Sequence, residues 1–447
     1  MSNVVQIAPA INPLVELQKE FVLSTIGGEI TIMSRREINA VTKGSAGNVN
    51  MYKPSDGKVL LRRHLETLPV TCEAKKTIDD FQASPNTTVY SETAFSPLKT
   101  PPTTLNYWVD SPVIPCPGDW SAIEEFLLNI ICDGDQILFE YLIHFLAHML
   151  QKPEEKPGIF IVLLGGQGTG KGTFFRLLNS IWPTTTMLVS DVNHVIGNFN
   201  GAIERNFVVC MDEAIFAGDK KSLDRLKSML TEPTITIEQK YQPRRTIESF
   251  HRFFAASNHT HFATVDKDDR RFVFLRVSNK YKEHHQHWAQ LYKTLDDSSV
   301  LGAFAHHLHN LDLTTFNVRN RPKTTEHIEQ KIRSLIGFER FWFEVLRWKH
   351  FSPGDGGDPV EEWSDACFIY TSSLIENHGR YFKSAKQYEP IQGYVICKEL
   401  KRLCPTAIAG RKQRYGNQPL RGYTLPALPE ARSFFEESMG APIDWAD

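Results

Sequence analysis

The stretch IFIVLLGGQGTGKGT at residues 159–173 restricts the fold of this chain more than any other part of the sequence. A short apolar run leads into a glycine-dense loop, and the residues after Lys171 read as the start of a helix. Such a loop can wrap a phosphate with its backbone N–H groups, although an ordinary glycine turn is the alternative. From residue 158 to about 280, apolar strands alternate with helical segments, which predicts an α/β fold with a largely parallel sheet.

The loop at residues 165–171 matches the pattern G-x-x-x-x-G-K, with one departure directly after it. Gly172 follows the lysine, so the hydroxyl that ligates magnesium in such loops is delayed to Thr173. The ending G-K-G-T also occurs in adenylate kinase-like nucleotide kinases, so the loop alone leaves the reaction open. The predicted nucleotide-binding residues are Gly165, Gly166, Gln167, Gly168, Thr169, Gly170, Lys171, Gly172 and Thr173.

Two acids follow the next strongly apolar run, at residues 207–211. Asp212, at the carboxyl end of a strand beside a phosphate loop, can hold magnesium, and Glu213 can polarise an attacking water. The alternative is a pair of ordinary acids at a helix start. Because nucleotide kinases need no water-activating glutamate, the pair favours a hydrolase.

A third apolar run ends at Asn258, and Arg270 and Arg271 directly precede a fourth. Asn258 could sense a γ-phosphate or orient water, or it could be a turn asparagine. An exposed arginine at a subunit edge can enter a neighbour's site and stabilise charge in the transition state. Pairing with the neighbouring aspartates is the alternative for both arginines.

A hairpin is predicted between the second and third of these strands, from the β-like residues 234–238 and 246–250. Its turn is basic and carries one aromatic ring, which suits phosphates and the stacking of an unpaired base. A solvated basic tip is the alternative. The turn residues predicted to contact DNA are Lys240, Tyr241, Arg244 and Arg245.

The order of these parts, within about 110 residues, resembles that of the superfamily 3 helicases, the compact AAA+ motors of viruses, phages and plasmids. The resemblance is closest to phage and mobile-element primase-helicase proteins. It extends upstream to LNYWVDSPVIPCPGDW and downstream to LRGYTLPALPEARSFFEESMGAPIDW, and so covers most of residues 100–447.

The resemblance implies a P-loop AAA+-like motor that uses ATP and Mg²⁺. Lys171 and Thr173 would bind phosphate and Mg²⁺, Asp212 would hold Mg²⁺, and Glu213 would be the catalytic base. Asn258 would be the polar sensor. The departure at Gly172 weakens the assignment of Thr173.

The resemblance also implies which residues contact a neighbouring subunit and which bind DNA. Arg271, with Arg270 as its rival, would be the finger that acts on a neighbouring subunit, and Lys240, helped by Tyr241, would grip single-stranded DNA in a central channel. Such motors are generally hexameric rings that move 3′ to 5′. The expected activity is ATP-dependent DNA unwinding in replication of a phage, plasmid or mobile element. The expected partners are single-stranded and forked DNA and a primase or initiator protein.

Two other functions remain open from the sequence. One is a nucleotide-gated replication initiator that remodels origin DNA without processive unwinding. The other is a small-molecule phosphotransferase, which the G-K-G-T ending suggests and which the Asp-Glu strand and Asn258 disfavour.

The chain is predicted to contain four parts: a small α+β module at 1–100, a helical bundle or collar at 101–157, the motor at 158–335 and a winged-helix-like domain at 336–447. The last prediction rests on a helix followed by a basic hairpin, for which a solvated basic face is the alternative. Its predicted DNA-binding residues are Arg411, Lys412, Arg414 and Arg421.

The aspartates of the motif CDGD, Asp133 and Asp135, are interpreted as helix-capping residues rather than as a metal pair, so priming activity is not predicted. HHQH at residues 284–287 lacks Cys or acid at ligand spacing, so it is interpreted as part of a helix rather than as a metal site.

Composition limits which partners the protein can bind and indicates its cellular compartment. The net charge is −2, so nucleic acid would have to meet local basic patches. The 7 cysteines include no C-x-x-C pair, which indicates reduced thiols. No leader pattern and no apolar stretch of about 18 residues is visible, so we expect a cytoplasmic protein without a membrane partner.

Overall fold

The computed structural model divides the chain into two compact units. One comprises residues 1–214, 224–259 and 275–322, and the other comprises residues 215–223, 260–274 and 323–447. The four-part division of the chain stays a prediction. The residues that the structure describes are 11–44, 49–214, 216, 219–238, 244–259, 261–263, 269–351, 362–384, 392–413 and 419–445.

The described residues between 11 and 106 form short helices around a small sheet, with a separate pair of short strands. Strand β1 pairs antiparallel with β2 and parallel with β3, and β4 pairs parallel with β5. Leu17, Ile32, Leu61 and Phe81 are buried together and join the helices to this sheet. The elements are α1 (Pro13–Glu20), β1 (Phe21–Ser24), β2 (Thr31–Ser34), α2 (Arg35–Thr42), α3 (Pro54–Thr67), α4 (Ala74–Ala83), β3 (Val89–Tyr90), β4 (Glu92–Ala94) and β5 (Thr104–Asn106).

Two helical segments precede the main sheet, α5 (Ser121–Phe126), continued by a π-helical turn, and α6 (Gln136–Gln151). Between them the chain reverses through Asp133 and Gly134, which have φ angles of 49° and 82°. Asp135 then caps α6, because its Oδ1 accepts hydrogen bonds from the backbone N–H groups of Ile137 and Leu138 at 2.9 and 3.0 Å. The capping role predicted for Asp135 is confirmed.

The centre of the first unit is a five-stranded parallel sheet, which confirms the predicted α/β class. Its strands run in the order β12-β6-β11-β8-β7. Every residue of β6, β8 and β11 is buried, which explains why these strands are continuous apolar runs. The elements are β6 (Phe160–Leu164), α7 (Lys171–Ile181), β7 (Thr186–Val189), α8 (Asn193–Ile196), β8 (Val208–Met211), α9 (Lys220–Thr231), β9 (Thr234–Ile237), β10 (Arg245–Glu248), β11 (Arg252–Ser257), β12 (Phe272–Arg276), α10 (His285–Leu295) and α11 (Ser298–Asn310).

The order of the strands in the parallel sheet determines which loops lie next to one another. Strand β11 pairs with β6 on one side and with β8 on the other, and both pairings are parallel. The carboxyl ends of parallel strands meet at one edge of a sheet. The segments that follow β6, β11 and β8 are therefore neighbours, although they are far apart in sequence.

The C-terminal part of the second unit packs helices against a three-stranded antiparallel sheet of order β13-β15-β14. Its core includes the fully buried side chains of Trp342, Leu400 and Phe435. None of the helices within the described ranges of the whole chain is both long and apolar enough to span a bilayer. The elements are α12 (Thr325–Arg333), α13 (Gly337–Trp348), β13 (Cys367–Tyr370), α14 (Thr371–Ser384), α15 (Gly393–Leu403), β14 (Ile408–Lys412), β15 (Leu420–Leu425) and α16 (Leu428–Met439).

Candidate functional site

The glycine-dense loop connects β6 directly to α7, as the sequence predicts. Gly168 and Gly170 have φ angles of 76° and 105°, a region that other residues adopt only with strain. Thr169 closes the loop, because its hydroxyl donates to the carbonyl of Gly166 at 2.9 Å. The first backbone N–H groups of α7 have no partner within the helix, so the loop and the helix start together form a site suited to an anion.

Lys171 lies inside this loop and is almost fully buried. Its Nζ donates to the carbonyls of Gly165 and Gly166 at 2.7 and 2.6 Å and to Oδ1 of Asn258 at 2.8 Å. Burial lowers the pKa of Lys171, while the carboxylates of Asp212 and Glu213 act in the opposite direction. The three N–H donors of the ammonium thus hold the loop closed and tie it to Asn258.

The two acids follow β8. The backbone N–H of Asp212 donates to Val189 at 2.7 Å, and Oδ1 of Asp212 accepts from the backbone N–H of Glu213 at 3.0 Å. Glu213 has a φ of 54°, which is unusual for a residue with a side chain and marks local strain. Glu213 is exposed, whereas its two neighbours are partly or wholly buried.

Asn258 comes directly after β11, the strand between β6 and β8, and so lies between the phosphate loop and the acids. These groups line one cavity of about 490 Å³. The structure therefore brings together loop residues 167–173, Asp212, Glu213 and Asn258. The predicted loop residues Gly165 and Gly166 do not line this cavity.

The side chains that line this cavity include oxygen donors of the kind that suits Mg²⁺. Asp212, Glu213 and Thr173 offer only oxygen atoms, and Mg²⁺ is commonly bound by one or two carboxylates, substrate phosphates and water. The hydroxyl of Thr173 lies 3.3 Å from that of Tyr292. Within the described part of the chain, no group of three or more His, Cys, Asp or Glu residues could hold a metal by itself.

One wall of the cavity was missed from the sequence. Helix α10 contributes His285, Trp288, Ala289 and Tyr292, which have the spacing i, i+3, i+4 and i+7 and so share one helix face. The signal was present in HQHWAQLY, where aromatic residues recur at helical spacing. The prediction for this segment concerned only metal binding by HHQH and did not include its aromatic face.

Arg270 and Arg271 precede β12 and belong to the second compact unit. The backbone N–H of Arg271 donates to Oδ1 of Asp269 at 2.9 Å, and the guanidinium of Arg271 lies 3.8 Å from the other carboxylate oxygen. The side chain of Arg271 is 34% exposed, whereas that of Asp269 is 1% exposed. The predicted pairing with a neighbouring aspartate is thus present for Arg271, and the finger role stays a prediction.

The predicted hairpin is present, because β9 and β10 form an antiparallel pair. Arg245 was placed in the turn but begins β10, opposite Ile237, because the strand pairing extends one residue further than the sequence pattern indicated. Its guanidinium pairs with Glu204, and that of Arg244 lies 3.0 Å from a carboxylate oxygen of Glu238. The two tip residues predicted to grip DNA, Lys240 and Tyr241, lie outside the described residues.

The basic C-terminal segment forms the predicted helix, α15, and the predicted hairpin, β14–β15. All of β14 is exposed. Arg411 stands directly opposite Arg421, with Lys412 next to it, and Arg414 lies outside the described residues. Like charges placed opposite each other destabilise a sheet, so a bound anion would relieve this arrangement.

Comparison with known proteins gives three results. Residues 163–271 match a family of unknown function, DUF5906. Over 171 residues, 37% of this chain, the sequence is 30% identical to a DNA primase-polymerase of Nitratiruptor phage NrS-1, and the match covers 23% of that protein. The chain thus matches about a quarter of the length of this relative.

Two solved apo structures of the C-terminal region of NrS-1 share the fold of the chain. Each covers 93% of this chain and 100% of its own, with TM-scores of 0.61 and 0.63 and sequence identities of 18% and 17%. At this level of identity, the likeness concerns the fold.

Proposed function

We propose that this chain is an ATP-driven motor of superfamily 3 type that acts on DNA in the replication of a phage or a related mobile element. The observation that carries the proposal is the meeting of Lys171, Asp212, Glu213 and Asn258 around one cavity at the carboxyl edge of the sheet. The similarity to a phage DNA primase-polymerase supports the replication context.

In this proposal the loop backbone and the N-terminus of α7 bind the β-phosphate of ATP, and Lys171 transfers part of its hydrogen bonding from the Gly165 and Gly166 carbonyls to the outer phosphate oxygens. Asp212 and Thr173 would hold Mg²⁺, which neutralises charge on the phosphates when bound. Glu213 orients a water molecule and accepts its proton, and Asn258 positions the same water or contacts the γ-phosphate.

DNA and neighbouring subunits complete the proposed motor. The β9–β10 hairpin, through Lys240 and Tyr241, would grip single-stranded DNA, and Arg270 or Arg271 would act on the site of the next subunit in a hexameric ring. The proposed substrates are single-stranded and forked DNA, and a primase or initiator protein is the proposed partner. The proposed setting is the cytoplasm.

The C-terminal unit supports an additional duplex-binding role. Within it, α13, β13, α14, α15 and the β14–β15 hairpin follow one another in an order that is also found in winged-helix domains, which supports the proposed duplex binding. On α15, Tyr394, Lys398 and Lys401 are exposed at a spacing that places them on one helix face. This face and the basic hairpin favour, as a second candidate, an origin-binding initiator that uses ATP only as a switch.

The proposal is tested by ATP hydrolysis with and without single-stranded DNA. Glu213→Gln is expected to lower the hydrolysis rate about 100-fold or more, because a general base contributes that much, while ATP binding is retained. Glu283→Gln is the matched control, since Glu283 is also exposed and also has a positive φ, of 68°. Equal rates in Glu213→Gln and the parent protein would show that Glu213 is not the base.

Strand displacement on a forked duplex separates the remaining candidates. Displacement that requires ATP supports the motor. Hydrolysis without displacement supports the initiator. Phosphate transfer to an added nucleoside monophosphate would instead identify a phosphotransferase.

A further inference from the structure

We propose that the aromatic face of α10 is the subsite for the nucleobase, with Trp288 as the stacking platform. This inference rests on the proposed function, because it assigns the second half of the same nucleotide cavity. It adds residues to which the sequence motifs assigned no role.

The cavity has two chemically different ends. Asp212, Glu213 and Asn258 follow β8 and β11, which lie on one side of β6 in the sheet, whereas α10 follows β12, which lies on the other side. The backbone of Val277 donates to Leu164 at 2.7 Å and so brings this second segment alongside the phosphate-loop strand. A nucleotide with its γ-phosphate near the acids therefore directs its base toward α10.

The wall that α10 presents is suited to a flat ring. It consists of His285, Trp288, Ala289 and Tyr292 and carries no carboxylate that would repel a nucleotide. Ala289 lies between the larger side chains and leaves space there. Aromatic rings bind any base through its π-face, which gives affinity with little discrimination among bases.

Trp288 is held in a fixed orientation. Its indole N–H donates to the carbonyl of Tyr281 at 3.0 Å, and Phe126 meets its ring edge-on at a centroid distance of 6.5 Å. Its far edge lies against the phosphate loop, since a Cβ built on Gly170 would be only 2.5 Å from Cη2 of Trp288. A platform fixed beside the loop loses little conformational entropy when a ring stacks on it.

Tyr292 links this end to the phosphates. Its hydroxyl lies 3.3 Å from that of Thr173, and the guanidinium of Arg176 covers its ring at 4.7 Å. Arg176 is in turn held by Asp296 at 2.6 Å. Because Arg176 covers one face of the Tyr292 ring, Trp288 is the residue assigned to carry the stacking.

The test compares a nucleotide with its phosphates alone. Binding of a non-hydrolysable ATP analogue and of inorganic tripolyphosphate, both with Mg²⁺, is measured by calorimetry on the full chain. Trp288→Ala is expected to weaken binding of the ATP analogue about tenfold and to leave tripolyphosphate binding within about twofold. Trp288→Phe, which keeps an aromatic ring, is expected to restore most of the loss, and Trp348→Ala, at an exposed tryptophan of the other unit, is the matched control.

The binding results distinguish failure of the base subsite from failure of the proposed function. Equal affinity of Trp288→Ala and the parent protein for the ATP analogue overturns the base subsite and leaves the proposed motor intact. Equal weakening of both ligands also overturns it, because Trp288 would then only support the loop at Gly170. If the parent protein binds neither ligand, the proposed function itself fails. Quenching of tryptophan fluorescence by the ATP analogue, present in the parent and reduced in Trp288→Phe, is the expected spectroscopic result.

Discussion

Lys171 donates a hydrogen bond to Asn258 across 2.8 Å, which connects the phosphate loop to the end of the neighbouring strand β11. The same ammonium holds the carbonyls of Gly165 and Gly166. If Lys171 binds a phosphate as proposed, that phosphate competes with these three acceptors. The proposed phosphate binding would then change the position of the Asn258 side chain, which follows strand β11.

We predict that Asn258→Ala lowers ATP hydrolysis about 10- to 100-fold while nucleotide affinity changes little, because a misplaced water or γ-phosphate costs about that much in rate. Asn258→Asp should instead weaken ATP binding, since its carboxylate would repel the γ-phosphate and pair with Lys171. Steady-state rates and calorimetric affinities measured together distinguish the two effects. A rate unchanged in Asn258→Ala would remove Asn258 from the catalytic group.

The two glycines that flank Lys171 are predicted to respond oppositely to alanine. Gly170→Ala should abolish nucleotide binding, because the φ of Gly170 is 105° and a Cβ there would collide with Trp288. Gly172→Ala should bind nucleotide normally, since no atom lies within 4 Å of the added Cβ. Alanine should also stabilise α7 by up to about 1 kcal/mol.

Thermal unfolding and ATP-analogue binding of the two glycine variants test this contrast. A serine at position 172 gives a separate prediction, because it would place a hydroxyl directly after Lys171. Gly172→Ser should lower the Mg²⁺ concentration needed for half-maximal ATP hydrolysis. An unchanged or higher Mg²⁺ requirement would mean that Thr173 already meets the need.

The β14–β15 hairpin is predicted to contact the phosphates of duplex DNA. Replacing Arg411 and Lys412 by alanine should reduce the dependence of log K on log salt concentration by about 2 units, because each lost phosphate contact removes about 0.9. The matched control is the double alanine variant of Lys75 and Lys76, two exposed lysines on α4. Titrations of fluorescent duplex DNA at several salt concentrations give the slope of log K against log salt concentration. Equal slopes in the two double variants would show that the β14–β15 hairpin does not contact the phosphates.

His378 is predicted to make the protein sensitive to acid. It is fully buried among Phe338, Phe341 and Phe382, and neither ring nitrogen has a hydrogen-bond partner among the described residues. Burial lowers the pKa of His378 to about 4 from 6.5. The neutral form is therefore favoured in the folded state, so this contribution to stability is complete above pH 6.5 and is lost as the pH falls toward 4.

The loss amounts to at most about 3 kcal/mol in the free energy of unfolding. His378→Phe should flatten the decrease in melting temperature between pH 7.5 and pH 5. His251→Phe is the contrasting control. His251 also has a pKa lowered to about 4, but its ring nitrogens contact Ser249 and Ile203 at 3.0 and 2.9 Å. That variant should flatten the same decrease but, unlike His378→Phe, should also lose stability at every pH, because Ser249 and Ile203 lose their hydrogen-bond partner. An unchanged acid slope in His378→Phe would contradict the assignment.

Much of the site was predictable because its parts are local. The apolar strands, the glycine loop and the acids after β8 each have a sequence pattern of their own, and the parallel sheet follows from their alternation with helices. The cap at Asp135 was predictable for the same reason. The start of β10 was placed one residue late because the pairing of Arg245 with Ile237 depends on the partner strand.

The sequence by itself determined which segments become buried strands and which loop can surround a phosphate, because hydrophobic period and the backbone freedom of glycine act over a few residues. Only the tertiary structure decided that β11 lies between β6 and β8, and this order brings Asn258 to Lys171. It likewise decided that one face of α10 lines the cavity. Strand order and helix docking depend on packing between segments far apart in the chain, and no local pattern records them.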